Sequence, residues 1–189
     1  MANSSTLIIY GSTYGYTERY TEWTKEQLEA EGYSVVTAPI TEVTDEQIEA
    51  AQTVVIGASY YGGLFLTGAP SLRKKAELLK NKNLVFFTVS FNGTVANNGK
   101  MLDGKVLKSF TEDLASGKPT FHLRGGINHD VLSATHKTVL QGVRMAMKMK
   151  PNKNEANQQI LDSYATHSAD FMDRANVEPI VAAVKAYDA

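Results

Sequence analysis

Short apolar runs alternate with amphipathic stretches from the start of the chain. Thr6–Tyr10 (T-L-I-I-Y) is a brief continuous apolar run, the pattern of a strand covered on both faces. From Gly15 to Glu31 the residues Tyr20, Trp23, Thr24, Gln27 and Leu28 recur at helical spacing, and Gly32 supplies a stop. Ser34–Ala38 reads as a second strand, followed by Pro39. Thr44-Asp45-Glu46-Gln47 has capping-box form and opens a short helix to Ala51. Thr53–Ala58 is strand three. Pro70 suits the first turn of a helix reaching Lys80. Asn83–Ser90 is strand four, a helix covers Lys100–Leu114, and Thr120–Arg124 is strand five. A final helix spans Val177–Tyr187 with Asn176 as its cap.

Five short strands alternating with helices predict an α/β fold, a doubly wound parallel sheet with helices on both faces. A chain of 189 residues fits one domain, here 1–189, and a domain of that length buries roughly 70% of its unfolded surface. No internal repeat, low-complexity tract or interdomain linker interrupts it. Strand five and the last helix are separated by about fifty residues, far more than an ordinary connection. This stretch therefore carries structure of its own, a helical insertion placed at about 125–155.

Composition narrows the chemistry. The absence of cysteine excludes disulfides, thiol nucleophiles, and zinc or iron–sulfur ligation through Cys. The polar start and the lack of a long apolar run predict neither a signal peptide nor a membrane span. The chain reads as cytoplasmic. A net charge of −1 implies no nucleic-acid partner. The charge is unevenly spread, however. His122–Asn154 carries +5 through Arg124, Lys137, Arg144, Lys148, Lys150 and Lys153 against Asp130, which leaves −6 elsewhere.

In open parallel sheets ligands bind beyond the carboxyl ends of the strands. After strand one comes Gly11-Ser12-Thr13-Tyr14-Gly15-Tyr16-Thr17, leading directly into a helix. Unpaired N–H groups at a helix N-terminus, with hydroxyls from Ser12, Thr13 and Thr17, suit a phosphate held by neutral donors. Neither G-x-x-x-x-G-K-[ST] nor G-x-G-x-x-G is present. After strand three, Ala58-Ser59-Tyr60-Tyr61-Gly62-Gly63 pairs two rings with two glycines. After strand four, Ser90-Phe91-Asn92-Gly93-Thr94 brings another ring, an amide and a glycine to the same edge. Each loop alone is equally an ordinary turn. Together they fit a ligand with a phosphate at one end and a planar ring at the other. A phosphoacceptor receiver domain, which shares this strand order, would need an Asp ending strand three and acids after strand one. Gly57-Ala58-Ser59 and Gly11-Ser12 stand there instead.

Ser12-Thr13-Tyr14-Gly15-Tyr16-Thr17 resembles the phosphate loop of the flavodoxin family, with Tyr14 where Thr is more usual. The resemblance covers about Thr6–Leu123 and the last helix. It implies a flavodoxin-like sheet of strand order 2-1-3-4-5 and FMN as cofactor. Ser12, Thr13, Tyr14, Gly15, Tyr16 and Thr17 would bind the phosphate. Ala58, Ser59, Tyr60, Tyr61 and Gly62, with Ser90, Phe91, Asn92 and Gly93, would flank the isoalloxazine. Tyr60, Tyr61 and Phe91 would be candidates to stack on it. The backbone at Tyr61-Gly62-Gly63 would sit near flavin N5. No metal site or catalytic acid or base is expected, and the redox chemistry would belong to the cofactor.

The basic insertion is similar to that of a flavodoxin-fold subgroup, the menaquinone-dependent protoporphyrinogen dehydrogenases. The likeness rests on Leu123-Arg124-Gly125-Gly126, the helix Val139–Met149 and the Val54–Ser59 stretch. It implies an FMN-dependent oxidoreductase passing electrons or hydride between FMN and a quinone, a porphyrinogen or a similar partner. The alternative is a flavodoxin-type electron carrier that serves a redox partner protein and has no substrate of its own. The helix 133–150 puts Leu140, Val143 and Met147 with His136 on one stripe, and Lys137, Arg144 and Lys148 on the next. Such a helix suits peripheral contact with the inner face of an anionic membrane, or an anionic ligand. It equally suits packing on the domain with its lysines in water. The seven-residue spacing of His122, His129 and His136 is not a metal motif.

Overall fold

The computed structural model describes residues 4–61, 65–94, 98–149 and 155–189. Five parallel strands form one sheet: β1 (Ser5–Gly11), β2 (Ser34–Pro39), β3 (Thr53–Ser59), β4 (Asn83–Ser90) and β5 (Thr120–Arg124). Their order is β2-β1-β3-β4-β5. The chain reverses direction across the sheet between β1 and β3, so a crevice opens where the loops after these strands diverge.

The apolar strand runs are explained by burial on both sides. Leu7, Ile9, Val54, Ile56, Leu84 and Phe86 face one core. That core is completed by α2 (Asp45–Ala50), α3 (Ala69–Leu72), α4 (Ala76–Leu79), α5 (Gly99–Phe110) and α6 (Glu112–Ala115). Ile8, Val55, Val85, Phe87 and Val89 face the other, against α1 (Tyr16–Ala30) and the C-terminal helix. Gly57 admits Phe87 to this second core, since a Cβ there would lie 2.0 Å from Phe87 Cζ.

Local chemistry sets most boundaries. The capping box forms in full: Gln47 N–H donates to Thr44 Oγ1 (3.3 Å) and Thr44 N–H to Gln47 Oε1 (2.9 Å). Two expected helices are interrupted. The stretch from Pro70 to Lys80 tightens into a 3₁₀ turn at Arg73–Lys75, where Lys75 pairs with Asp45 at the start of α2. The helix expected over Lys100–Leu114 breaks at Thr111, whose φ of 72° cannot continue an α-helix. Asn176 does not cap the last helix. Asp173 accepts from Ala175 N–H and opens a 3₁₀ turn over Arg174–Val177. The C-terminal α-helix then starts at Glu178 with Pro179 in its first turn.

The long stretch after β5 is more than helical. It contains β6 (Gly126–Asn128), α7 (Ala134–Met149), α8 (Glu155–Thr166) and β7 (Ser168–Asp170), with α9 (Glu178–Lys185) closing the chain. β6 and β7 pair antiparallel as a separate two-stranded ribbon. At three residues each, their strands are too short to leave an alternation signal. The base of the insertion is clamped by Tyr20, whose hydroxyl donates to Arg124 O (2.7 Å) and accepts from Asp173 N–H (3.2 Å). Among the described residues, no helix is long and apolar enough to cross a membrane.

Candidate functional site

The loop after β1 is built for close approach. Gly11 lies under the loop that precedes α3, and a Cβ there would meet Thr67 O at 2.2 Å. Gly15 adopts φ +86° just before α1, and the space where its Cβ would stand is open. Its N–H donates to Ser12 Oγ (3.1 Å), which bends the loop over the helix N-terminus. Thr13 is exposed, its hydroxyl 3.4 Å from that of Thr67. Ser59 donates its hydroxyl to Thr67 Oγ1 (2.8 Å), so three hydroxyls line one rim. Thr67 was not singled out from sequence. Its only signal is the small-residue run Thr67-Gly68-Ala69 before Pro70.

Thr17 is fully buried, yet its Oγ1 has no partner. A buried hydroxyl left unpaired is unfavourable by about 1–3 kcal/mol. A phosphate at the head of α1 would supply the acceptor. Asn92 Oδ1, on the loop after β4, is likewise buried without a partner. Both orphans fall among the residues expected to hold the cofactor. Unpartnered buried polar atoms also occur elsewhere: the hydroxyls of Thr6 and Thr53, register partners at the far end of the sheet, that of Thr21 one turn further along α1, and Arg144 Nε and the Tyr164 hydroxyl in the insertion.

The two tyrosines of the first loop turn away from it. Tyr14 reaches the insertion: its hydroxyl lies 2.5 Å from His136 Nδ1 and accepts from Ser133 N–H (3.1 Å). Tyr16 lays its ring on Gly125 and Gly126, where a Cβ at Gly126 would lie 2.7 Å from the ring. At these two positions only the backbone remains for a ligand in the loop.

The other two loops meet across the crevice. Ala58 and Ser59 are buried, and Tyr60 is half-buried against the core with Lys105 Nζ 5.1 Å from its ring centre. Tyr60 N–H donates to Val89 O (2.8 Å), which ties the loop after β3 to β4. Tyr61 sits edge-on to Tyr14 (5.2 Å) and stacked with His136 (5.4 Å, 22°). Burial, with the nearby Tyr16 and Tyr14, pushes its hydroxyl pKa well up. Gly62 and Gly63 lie outside the described residues. Ser90 Oγ accepts from Gly93 N–H (3.0 Å), and Gly93 has φ +49°. Phe91 meets Phe171 edge-on at 5.3 Å. Arg124 fixes this corner: Nε donates to Phe91 O (3.3 Å), Nη2 to Gln159 Oε1 (2.7 Å), and its guanidinium lies 3.7 Å from the Phe171 ring centre. Burial lowers the Arg124 pKa from its ordinary value, and Glu155 opposes the change.

Tyr60, Tyr61, Ser90, Phe91 and Asn92 form one side of a cavity of about 250 Å³. The opposite side is the insertion: Leu132, Ile127 and Ile160, with the α7 stripe His136, Leu140, Val143 and Met147. The three histidines of seven-residue spacing are not brought together. His122 bridges Thr88 (2.8 Å) and Asp103 (2.9 Å), His129 meets Ser163 (2.9 Å), and His136 meets Tyr14. Among the described residues no three His, Asp or Glu side chains form a metal-binding group.

A 2-1-3-4-5 sheet with a hydroxyl-lined loop at its first helix and ring-bearing loops after its third and fourth strands defines a flavodoxin-like, FMN-binding fold. A family model described as the flavodoxin domain matches residues 7–157, a span that takes in much of the insertion. The chain belongs to the flavodoxin family, and it is a flavoprotein whose cofactor is FMN and whose chemistry is electron transfer. No curated protein matches the sequence at a significant level. Among solved structures it is similar to the rubredoxin oxygen:oxidoreductase of the anaerobe Desulfovibrio gigas. That match has 14% identity and a TM-score of 0.52, and it covers 100% of this chain but only 38% of the other. It is also similar to oxidised flavodoxin 1 of Bacillus cereus, with 13% identity, a TM-score of 0.50, and coverage of 87% and 97%. At these identities the likeness speaks to fold alone.

Proposed function

We propose that the protein is an FMN-dependent oxidoreductase that exchanges two electrons with an apolar cyclic partner of the quinone or porphyrinogen class. One observation carries this reading. The loops expected to hold the isoalloxazine open into an apolar cavity whose far wall is the α7 stripe. FMN would supply the redox chemistry. The loop Ser12–Thr17 would hold its phosphate, with Thr17 Oγ1 donating, and Tyr60, Phe91 and Asn92 would border its ring. The insertion would exclude water and present an apolar surface to the partner. The test is direct. Purified protein should be yellow and release FMN on denaturation, and its reduced form should be reoxidised by a soluble menaquinone analogue. Turnover with protoporphyrinogen distinguishes the two partner types. Protein that holds FMN but reacts with neither fails as an enzyme.

Membership of the flavodoxin family favours a second reading, an electron carrier without its own substrate. Reduction by a reductase partner with no reaction towards quinone or porphyrinogen would support it. We also propose that the outer face of α7 meets an anionic membrane. Met145 (69% exposed) and Met149 (84% exposed) stand beside Lys137 and Lys148, and α7 carries no acid. Co-flotation with phosphatidylglycerol vesicles but not with phosphatidylcholine vesicles is the expected result. Equal behaviour with both ends this proposal.

A further inference from the structure

The Tyr14–His136 pair stands between two spaces of different character. His136 lines the apolar cavity beside Tyr61 and Leu140. Tyr14 lines an outer, more polar cleft with Arg19, Asn128 and Asp170. One tautomer satisfies both groups, and we adopt it: the Tyr14 oxygen accepts from Ser133 N–H and donates its single proton to His136 Nδ1, 2.5 Å away. A neutral imidazole that accepts at Nδ1 carries its own proton on Nε2. The ring is also held mechanically. It stacks with Tyr61, and the His136 N–H donates to Ser133 Oγ (3.2 Å).

We propose that His136 is the proton donor to a quinone reduced in the cavity, and that Tyr14 resupplies it from the outer cleft. The inference rests on the two-electron reading of the site given above. A quinone that takes a hydride from reduced flavin gains two electrons and one hydrogen, and it is left as a quinolate monoanion. The anionic oxygen takes the Nε2 proton of His136. His136 Nδ1 takes the proton of the Tyr14 hydroxyl, and the Tyr14 oxygen is reprotonated by water in the outer cleft. Starting from the anionic reduced flavin, the products would be quinol, oxidised flavin and a hydroxide released to solvent from the outer cleft, and His136 ends with its proton on Nδ1. It returns to its starting tautomer by ring-nitrogen exchange with solvent. In an apolar cavity an uncompensated quinolate charge is strongly disfavoured, so a fixed donor at the wall lowers the barrier to its formation.

Two variants and two acceptors test this. His136→Asn keeps an acceptor near the Nδ1 position for Tyr14 but has nothing at Nε2. Tyr14→Phe leaves His136 in place without its supply. FMN-loaded, reduced protein is mixed by stopped flow with a soluble naphthoquinone, which needs the proton, or with ferricyanide, which takes electrons alone. Quinone reoxidation should fall ~100-fold in His136→Asn, within the range general acid catalysis contributes. It should fall ~10-fold or more in Tyr14→Phe, and ferricyanide rates should stay within about threefold in both. An independent readout needs no turnover. The ¹⁵N spectrum of the histidine rings should show His136 protonated at Nε2 with Nδ1 as acceptor, and Tyr14→Phe should shift that Nδ1 signal. Equal losses with both acceptors, unchanged quinone rates, or a His136 protonated at Nδ1 in the resting protein each overturn the assignment. Wild-type protein that binds FMN yet never reduces a quinone overturns the functional reading itself, and this inference with it.

Discussion

Thr17→Val should stabilise the apoprotein or leave it unchanged, while weakening its grip on FMN. The two effects have opposite sign because they come from one atom. Thr17 is fully buried in the first turn of α1, and its Oγ1 meets no partner. Removing an unpaired buried hydroxyl at nearly constant shape relieves a desolvation penalty of about 1–3 kcal/mol. Part of that is given back through lost local adjustment, so a gain of about 0–2 kcal/mol is expected. In a chain of this size that is a rise of about 0–8 °C in Tm. With FMN bound the hydroxyl is expected to donate to the phosphate. A hydrogen bond to a charged group is worth about 1.5–3 kcal/mol, which corresponds to a Kd about 10–150 times weaker in the variant. Thermal melts of the apoprotein and flavin-fluorescence titrations measure the two quantities separately. A variant that melts several degrees lower without FMN, or binds FMN within about threefold of wild type, refutes the placement of the phosphate at this hydroxyl.

Other consequences concern the frame around the site. Gly57→Ala puts a Cβ 2.0 Å from Phe87 Cζ inside the core and should cost about 1–3 kcal/mol in urea unfolding; an unchanged midpoint contradicts the packing. His122→Phe strands the fully buried Thr88 hydroxyl and frees Asp103, again costing about 1–3 kcal/mol, whereas a stabilised variant would show that the bridge contributes nothing. Burial, followed by His167, holds the His129 pKa below its ordinary value. Its neutral form is therefore the folded form, and stability is lost as pH falls from about 6.5 through the lower folded value. Hydrogen exchange in α8 should quicken over that window, and His129→Asn should flatten the dependence. Arg124→Met removes the bonds to Phe91 and Gln159 and the contact with Phe171, so limited proteolysis within 125–170 should accelerate.

The sheet was legible because its strands are buried on both faces, which writes each one as a compact apolar run. Asn83–Ser90 and Thr120–Arg124 match their strands at both ends. Helix interruptions were not legible. The break after Phe110 depends on the φ of Thr111, and the 3₁₀ turn before α4 accompanies an ion pair to a distant helix. The three loops were found by residue type, since hydroxyls, rings and glycines at the carboxyl edge leave a local signature. Where their side chains go was not written locally. Tyr14 is drawn to His136, 122 positions away, and Tyr16 to the Gly125–Gly126 turn. Thr67 and Phe171 escaped notice because each gains its place from a tertiary contact rather than from its neighbours in sequence.

The α7 helix shows how pattern and burial carry different information. Its apolar stripe is plain in the sequence, and a stripe alone is equally compatible with a helix packed on the core. A core helix, however, buries that stripe, as α1 buries Tyr20, Thr24 and Leu28. No residue of α7 is buried, and His136, Leu140, Val143 and Met147 are all intermediate in exposure. The insertion is nonetheless well tied at its base, through the β6–β7 ribbon, the Tyr20 clamp and the His129–Ser163 bond. A helix anchored at its base and, through His136, on Tyr14 and Tyr61, yet unburied along the rest of its apolar stripe, is spaced by the cavity that Leu140, Val143 and Met147 line. That spacing places an apolar wall opposite the loops expected to hold FMN, a wall that a bare five-stranded sheet with its flanking helices would lack.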